Sequence, residues 1–494
     1  MRTLVVALET VNGAQGIVPG QRGQKWVPPR GYCRLGQLET GVSKNPVAAI
    51  WEGEMDVASV RNDRTTSAGQ SMRCRHCGTP LQHTLIDLGM SPLCESFLTK
   101  DQLDAPETYY PLHARVCHAC WLVQLPEFVN PAHIFTEYAY FSSYSTTWVA
   151  HAARYCETIK SRLGLGPKSF VVELGSNDGY LLQHFVKVGI PVLGIEPAAN
   201  VAEAARKAGI PTLVAFFGAK TAGQVVVDRG HADLIVANNV LAQVPELNDF
   251  VVGMAHLLAP EGVITIEVPH LERLIAENQF DTIYHEHFSY FSLGSIGRLA
   301  AAHGLALIDV ETLPTHGGSL RLYLAHRGSH HLVSIRVVQM LAEERRAGLE
   351  DLSTYVDFAG RVQRTKRELL SVLIKAKEKG KRICGYGAPG KGNTLLNYAG
   401  IGTDFLDFTV DRNPYKHGRY TPGMHIPIYP VEAIDDAKPD YILILPWNLK
   451  DEIVQQMRHV GKWGARFIVP IPSVSIVGPA PEQLRSGAVW DEIK

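Results

Sequence analysis

The sequence predicts an α/β protein with two doubly wound parallel sheets behind a small cysteine-rich segment. Three observations predict it. Strand-like runs alternate with helical patterns from about residue 146 to 330, the pattern of a parallel sheet. A second strand, glycine loop and helix follow in "RICGYGAPGKGNTLLNY". Ahead of both stand two Cys-x-x-Cys pairs in a stretch dense in turn residues. At 494 residues the chain has room for two to four domains, and a composition 46% hydrophobic and 20% charged supports packed cores.

Charge and hydropathy exclude some classes of partner. Lys plus Arg number 48 against 49 Asp plus Glu, so the surface gives no electrostatic reason to expect nucleic acid. No apolar run approaches the roughly 18 to 20 residues that span a bilayer. The opening "MRTLVVALETVNG" has too short an apolar run for a signal peptide. A cytoplasmic protein with no membrane partner is expected. Residues 1–71, rich in Gly, Pro, Arg and Gln and poor in periodicity, are expected to be a disordered or peripheral extension. Met72, directly before the first convincing structure, leaves a misplaced start codon as an alternative. There is no internal repeat.

The segment 72–145 is defined by "CRHC" and "CHAC". Cys74, Cys77, Cys117 and Cys120 supply four thiolates, the set that tetrahedral zinc prefers, and a closed site of four leaves no open position for catalysis. The competing reading is four unrelated reduced cysteines; a thioredoxin-like pair lacks its βαβ context. His76 and His118, inside the knuckles, are expected to be solvated. Cys33, Cys94, Cys156 and Cys384 have no partner spacing.

In the segment 146–330, "SFVVELGSNDGYLL" puts a glycine loop between a strand and a helix expected from Tyr180. A dinucleotide fingerprint would have glycine where this chain has Asn177. Glu173, at the end of the strand, fits an S-adenosylmethionine site instead, with Gly175, Asn177, Asp178 and Gly179 forming the loop. Glu196 ends the next strand, where a carboxylate accepts ribose hydroxyls. Asn238 ends a later one, and Phe216 and Phe217 are placed to pack on the adenine or simply in the core.

Residues 331–494 are expected to begin as a charged helical bridge over 335–380 and to continue as a smaller Rossmann-like domain. Its loop "GYGAPGKGN" carries Gly387 and Lys391, which suit a diphosphate. It lacks the Walker pattern G-x-x-x-x-G-K-[ST], because Gly392 and then Asn393 follow Lys391, so ATP hydrolysis is disfavoured. Glycines that merely permit tight strand–helix packing are the alternative.

"TIYHEHFSYFS" gathers Tyr284, His285, Glu286 and His287. The two histidines lack the H-E-x-x-H spacing of a helical metal site, although residues two apart share a face in a strand. The motifs in order are the four-cysteine knuckle, "EYAYFSSYST", "VVELGSNDGYLL", "GIEPAANV", "YHEHFSYFS", "THGGSLR", "GYGAPGKGN" and "TVDRNPYKHGRYTPG". Over about residues 72 to 475 the chain resembles the three-domain S-adenosylmethionine-dependent sugar C-methyltransferases that act on nucleotide-linked deoxy-4-ketohexoses. The resemblance implies a zinc-binding N-terminal segment, a central class I methyltransferase domain and a C-terminal domain that binds nucleotide sugar.

The resemblance also implies roles. Tyr284 and His287, with Glu286 alongside, would serve the reacting sugar. His287 would be the base that removes the proton beside the ketone, since an imidazole titrates near working pH, and Tyr284 would donate to the oxyanion. Tyr138, Tyr140, Ser142 and Ser143 would line the pocket, Tyr140 and Ser142 toward the cofactor. Gly387, Lys391, Asn393 and Asp411 would hold the nucleotide sugar. His285 is expected to be structural, because adjacent residues of a strand face opposite ways. One departure stands out: relatives often have histidine after "NNVLA", and this chain has Gln243, which hydrogen-bonds in the pocket but does not shuttle a proton. Rival readings are an O- or N-methyltransferase on a related sugar, an NAD-dependent nucleotide-sugar oxidoreductase or epimerase, and a non-catalytic scaffold.

Overall fold

The computed structural model describes residues 72–130 and 141–478. The N-terminal extension, Tyr138 and Tyr140 lie outside the described residues. The cysteine-rich segment is more regular than its turn residues suggest. It holds the strands β1 (His83–Ser91), β2 (Tyr110–Val116) and β3 (Val123–Gln124) in an antiparallel meander. Alternation such as Leu112, Ala114 and Val116 buries one face of β2. The fourth strand, Ser289–Tyr290, comes from far along the chain and pairs with β3. Sequence periodicity does not reveal this strand, because it is two residues long.

The central sheet is built from β4 (Val171–Leu174), β5 (Val192–Ile195), β6 (Thr212–Leu213), β7 (Ala232–Asn238) and β8 (Leu258–Pro269), all parallel. With Ser289–Tyr290 counted as β9, the sheet is completed by β10 (Leu305–Leu313) and β11 (Ser319–His326), and β11 runs antiparallel to both β10 and β8. The order is β10-β11-β8-β7-β4-β5-β6. Because β4 has neighbours reached by crossovers in opposite directions, the crevice at its carboxyl end is the natural ligand site of an open α/β sheet. The glycine loop 175–179 sits there. One face of the sheet packs on α1 (Thr146–Leu163) through Ala152, Tyr155 and Ile159; the other packs on α2 (Leu247–Leu257), and the cysteine knuckle joins that second core.

The charged stretch expected to be helical over 335–380 forms two helices, Ile335–Arg346 and α3 (Leu352–Glu378). Asp351 caps it by accepting from the Ser353 N–H, and Tyr355, Phe358, Val362, Thr365, Leu369, Leu373 and Ala376 form its buried stripe at intervals of three and four. That stripe packs with the buried faces of β1 and β2 and with the C-terminal sheet in a single core. The C-terminal sheet comprises β12 (Ile383–Tyr386), β13 (Thr409–Val410), β14 (Ile428–Tyr429), β15 (Tyr441–Ile444), β16 (Arg466–Val469) and β17 (Ser475–Val477), in the order β14-β13-β12-β15-β16-β17. All pairs are parallel except β16 with β17. Helix α4 (Gly390–Ala399) begins at the second glycine loop, after β12 at the crossover point of this sheet. No helix among the described residues is long and apolar enough to cross a membrane.

Candidate active site

The cysteine knuckle converges. Cys74 Sγ lies 3.5 Å from Cys120 Sγ, Cys77 Sγ lies 3.5 Å from Cys117 Sγ, and all four sulfurs fall within 4.8 Å of one another. Tetrahedral zinc with bonds of about 2.3 Å sets its sulfurs about 3.8 Å apart, so this cluster fits the ion. His76 departs from the sequence expectation. It is buried rather than solvated, and its Nδ1 lies 3.1 Å from Asn248 Oδ1, which fastens the knuckle to α2. His118 is exposed, as expected.

At the first glycine loop, Asn177 holds a left-handed φ of +49°, which explains the residue: after glycine, asparagine tolerates that region best. Its side chain has a second use, because Oδ1 accepts the Ser142 N–H at 2.8 Å, while Asp178 accepts the Ser143 N–H at 3.1 Å. Gly179, at φ +80°, has no room for a Cβ, which would come within 2.7 Å of Ile210. Glu196 accepts from the Asn177 and Ala198 N–H groups, both at 2.9 Å, so its carboxylate is fixed with lone pairs to spare. Both carboxylate oxygens of buried Glu173, Asp178 Oδ1, Asn238 Oδ1 and Asn239 Nδ2 find no partner within the protein. Burial, then the charges of Glu196 and Asp178, hold the Glu173 carboxyl well above the ordinary range. Such a cluster of orphaned polar atoms at the end of β4 and β7 fits a cationic, hydroxyl-bearing cofactor.

A cavity of about 930 Å³ opens from this loop. Gly175, Asn177, Ser142, Glu196, Phe216, Phe217 and Asn238 line one end, Gln243 also borders it, and Tyr284, His287 and Lys391 stand in the same cavity. Phe217 packs edge-on against Phe250 at 5.1 Å between centroids. The structure therefore gathers the glycine-loop residues, the histidine motif and the lysine of the second loop around one space.

The "YHEHF" segment is a turn rather than a strand, closed by the His287 N–H donating to the Tyr284 carbonyl at 2.9 Å. This geometry replaces the strand-face argument for separating the histidines. Tyr284 and His287 stand side by side, with Oη 3.0 Å from Nε2. His287 Nδ1 faces the Thr282 carbonyl at 3.2 Å, and a carbonyl only accepts, so Nδ1 carries the proton and Nε2 is the basic nitrogen. Burial lowers the His287 pKa to about 4, so the ring is neutral at pH 7. His285 turns the other way, and its Nε2 donates to the Pro111 carbonyl at 3.3 Å, against the Tyr110 ring. Glu286 also leaves the cavity. It accepts from Cys94 Sγ at 3.7 Å, and burial, then the nearby Glu95, push its carboxyl up to about 8.

In the second loop, Lys391 lies over the Trp447 ring with Nζ 4.8 Å from its centroid and bonds Asn448 Oδ1. Trp447 in turn donates to Asp281 at 2.7 Å. Asn393 is buried and donates to the Cys94 carbonyl at 2.6 Å, while Asp411 accepts the Ala388 and Asn413 N–H groups at 2.7 and 2.8 Å. These two shape the loop rather than line the cavity. Gly387 has φ +86° and donates its N–H to the Val410 carbonyl at 2.6 Å. The Glu95 carboxylate receives the Gly390 N–H at the start of α4 and pairs with Lys416 Nζ at 3.3 Å, so an anionic group already sits at that helix end.

Comparison with known proteins agrees with this architecture. Residues 74–135 match a family described as a candidate zinc binding domain, residues 148–310 a methyltransferase domain, and residues 314–472 a C-methyltransferase C-terminal domain. The C-methyltransferase NovU of Streptomyces niveus is 37% identical over 404 residues, 82% of this chain and 96% of that one. The chain belongs to the S-adenosylmethionine-dependent C-methyltransferases. Among solved structures, the magnesium protoporphyrin IX methyltransferase ChlM of Synechocystis, with bound SAM, is similar over 37% of this chain and 82% of its own, with 13% identity and a TM-score of 0.28. The PH0226 protein of Pyrococcus horikoshii is similar over 40% of this chain and all of its own, with 13% identity and a TM-score of 0.31.

This C-methyltransferase thus uses S-adenosylmethionine, and its four clustered cysteines form a structural zinc site. The dehydrogenase and scaffold readings fall with that assignment. Trp148 and His316 are among the cavity residues that escaped the sequence reading. Trp148, on α1, stacks on His151 at 4.9 Å; a lone aromatic on an amphipathic helix reads as core. His316 also lines the cavity, and the signal for it was present in the quoted "THGGSLR", whose two glycines mark unusual backbone.

Proposed function

We propose that the enzyme methylates the carbon beside the ketone of a nucleotide-linked deoxy-4-ketosugar through a base-generated enolate. The observation that carries this reading is His287: a neutral imidazole whose Nδ1–H is held by a carbonyl and whose Nε2 faces a tyrosine hydroxyl in a cavity shared with the cofactor loop. A hydrogen beside a ketone becomes removable once the developing oxyanion is stabilised. The Tyr284 hydroxyl passes from Nε2 to the ketone oxygen, the C–H bond breaks toward Nε2, and the electron pair moves onto oxygen. Glu173, Asn177, Glu196 and Asn238 would hold S-adenosylmethionine, which supplies an electrophilic methyl group to the enolate carbon. Lys391, which stands in the cavity, supports a substrate that carries a phosphate charge, such as a nucleotide-linked sugar; the N–H groups of Gly387, Ala388 and Gly390 are already taken by Val410, Asp411 and Glu95. NovU's name gives the carbon as methyl acceptor in that relative.

The test is deuterium wash-out in D2O without methyl donor, with thymidine diphosphate 4-keto-6-deoxyglucose as probe and S-adenosylhomocysteine present to complete the pocket. Parent enzyme should exchange the proton beside the ketone, and His287→Asn should not. Parent enzyme that exchanges no proton yet transfers methyl would contradict an enolate route.

A further inference from the structure

We propose that His316 is a second reacting-site imidazole, which donates a hydrogen bond to the ketone oxygen as it becomes an oxyanion. The inference rests on the enolate reading above and assigns a residue that the motif comparison left without a role. Four observations carry it. First, His316 lines the same cavity as His287 and Tyr284, and the two imidazoles are close enough that a charge on one disfavours a charge on the other. Second, His316 holds a left-handed backbone, φ +54° and ψ +22°, uncommon for a residue other than glycine although histidine enters it more readily than most. Third, that conformation is locked from both sides. Gly317 and Gly318 follow at φ +89° and +116°, a Cβ on Gly317 would come within 2.8 Å of Trp447, and the Gly317 carbonyl accepts from Gln279 at 2.7 Å. Fourth, the Trp148 ring meets the imidazole edge-on at 5.5 Å, which orients it within the cavity.

Trp447 and Gln279, packed on the following glycine, hold this turn so that His316 borders the cavity. His316 is open to solvent through the cavity, while the protein packed around it, then the Lys391 charge, lower its pKa to about 4, so the ring is neutral at pH 7. A neutral imidazole is a fitting electrophile here: it donates one N–H to an enolate oxygen without handing over the proton. The proton budget then closes with one transfer, carbon to His287 Nε2.

The experiment compares His316→Gly and His316→Asn with parent in the same wash-out assay, with and without added imidazole, and with S-adenosylhomocysteine affinity and melting temperature measured for each. Both substitutions tolerate the left-handed backbone. His316→Gly should slow exchange about 100-fold, the loss typical of one oxyanion donor, with cofactor affinity unchanged. Added imidazole should restore part of the rate, and His316→Asn, which keeps a short N–H donor, should fall between. His316→Gly within about threefold of parent, or a slow variant that imidazole does not rescue, overturns the proposal while leaving His287 as base. If parent exchanges no proton yet transfers methyl to the same probe, the enolate reading fails and this inference fails with it.

Discussion

His287 and His285 stand two positions apart in one turn and differ in everything their nitrogens touch. His287→Asn should abolish proton abstraction, a loss of on the order of 100- to 10,000-fold, while S-adenosylmethionine binding is spared. Tyr284→Phe keeps the ring and should cost less, mainly in kcat. His285→Asn loses only a bond to the Pro111 carbonyl and should be milder. The pH dependence follows from the same burial. A His287 pKa near 4 means the base is already neutral at pH 6, so kcat/KM should hold its acid limb near pH 4 to 5, well below the ordinary imidazole value of about 6.5. For stability the sign is set by proton counts. The unfolded chain binds a proton at His287 between about pH 6.5 and 4, the folded chain does not, and folding is therefore progressively weakened as pH falls through that window. At this scale the sequence was informative about identity and not about direction. Tyr284 and His287 were legible because "YHEHF" is an improbable core; that Glu286 turns toward Cys94 depends on a turn whose closure no periodicity shows.

The glycine loop shows how an element is specified by conformation as much as by chemistry. Asn177 combines a left-handed backbone with an acceptor for Ser142. Asn177→Gly should keep the loop and lose only the acceptor, weakening S-adenosylhomocysteine binding modestly. Asn177→Ala adds about 1–2 kcal/mol of left-handed strain to the lost bond, so its binding should be about 10- to 100-fold weaker than parent by calorimetric titration. Strands β4, β5, β7 and β8 were legible because long apolar runs between helical patterns have few alternatives. The meander β1–β3 was hidden by its turn residues, and β9 by its length. His76 was misjudged for a related reason: a histidine between two zinc ligands looks solvated until α2 brings Asn248 against it.

At the scale of the whole molecule, the zinc segment is a joint. Its knuckle shares a core with the central sheet, its meander shares a core with α3 and the C-terminal sheet, and its β3 pairs with β9, the strand that follows the turn bearing Tyr284 and His287. Closed four-thiolate zinc contributes folding energy directly, so purified enzyme should contain about one zinc per chain. Cys117→Ser should reduce soluble yield far more than it alters the turnover of the molecules that fold, as measured by active-site titration with S-adenosylhomocysteine. A zinc-free variant as stable as parent would show that the knuckle is not structural. The order of three motif-bearing segments was legible along the chain, whereas their convergence on one cavity was not, because it depends on contacts such as Lys391 reaching the space beside His287.

The central claim is carbon methylation beside a ketone, and one measurement addresses it directly. Parent enzyme is incubated with S-adenosylmethionine labelled with carbon-13 in its methyl group and with thymidine diphosphate 4-keto-6-deoxyglucose, and the product is read by carbon–proton correlation spectroscopy. The account predicts a labelled methyl bonded to the ring carbon adjacent to the ketone, absent in His287→Asn. A label bonded to oxygen, or equal carbon labelling by His287→Asn, would contradict it.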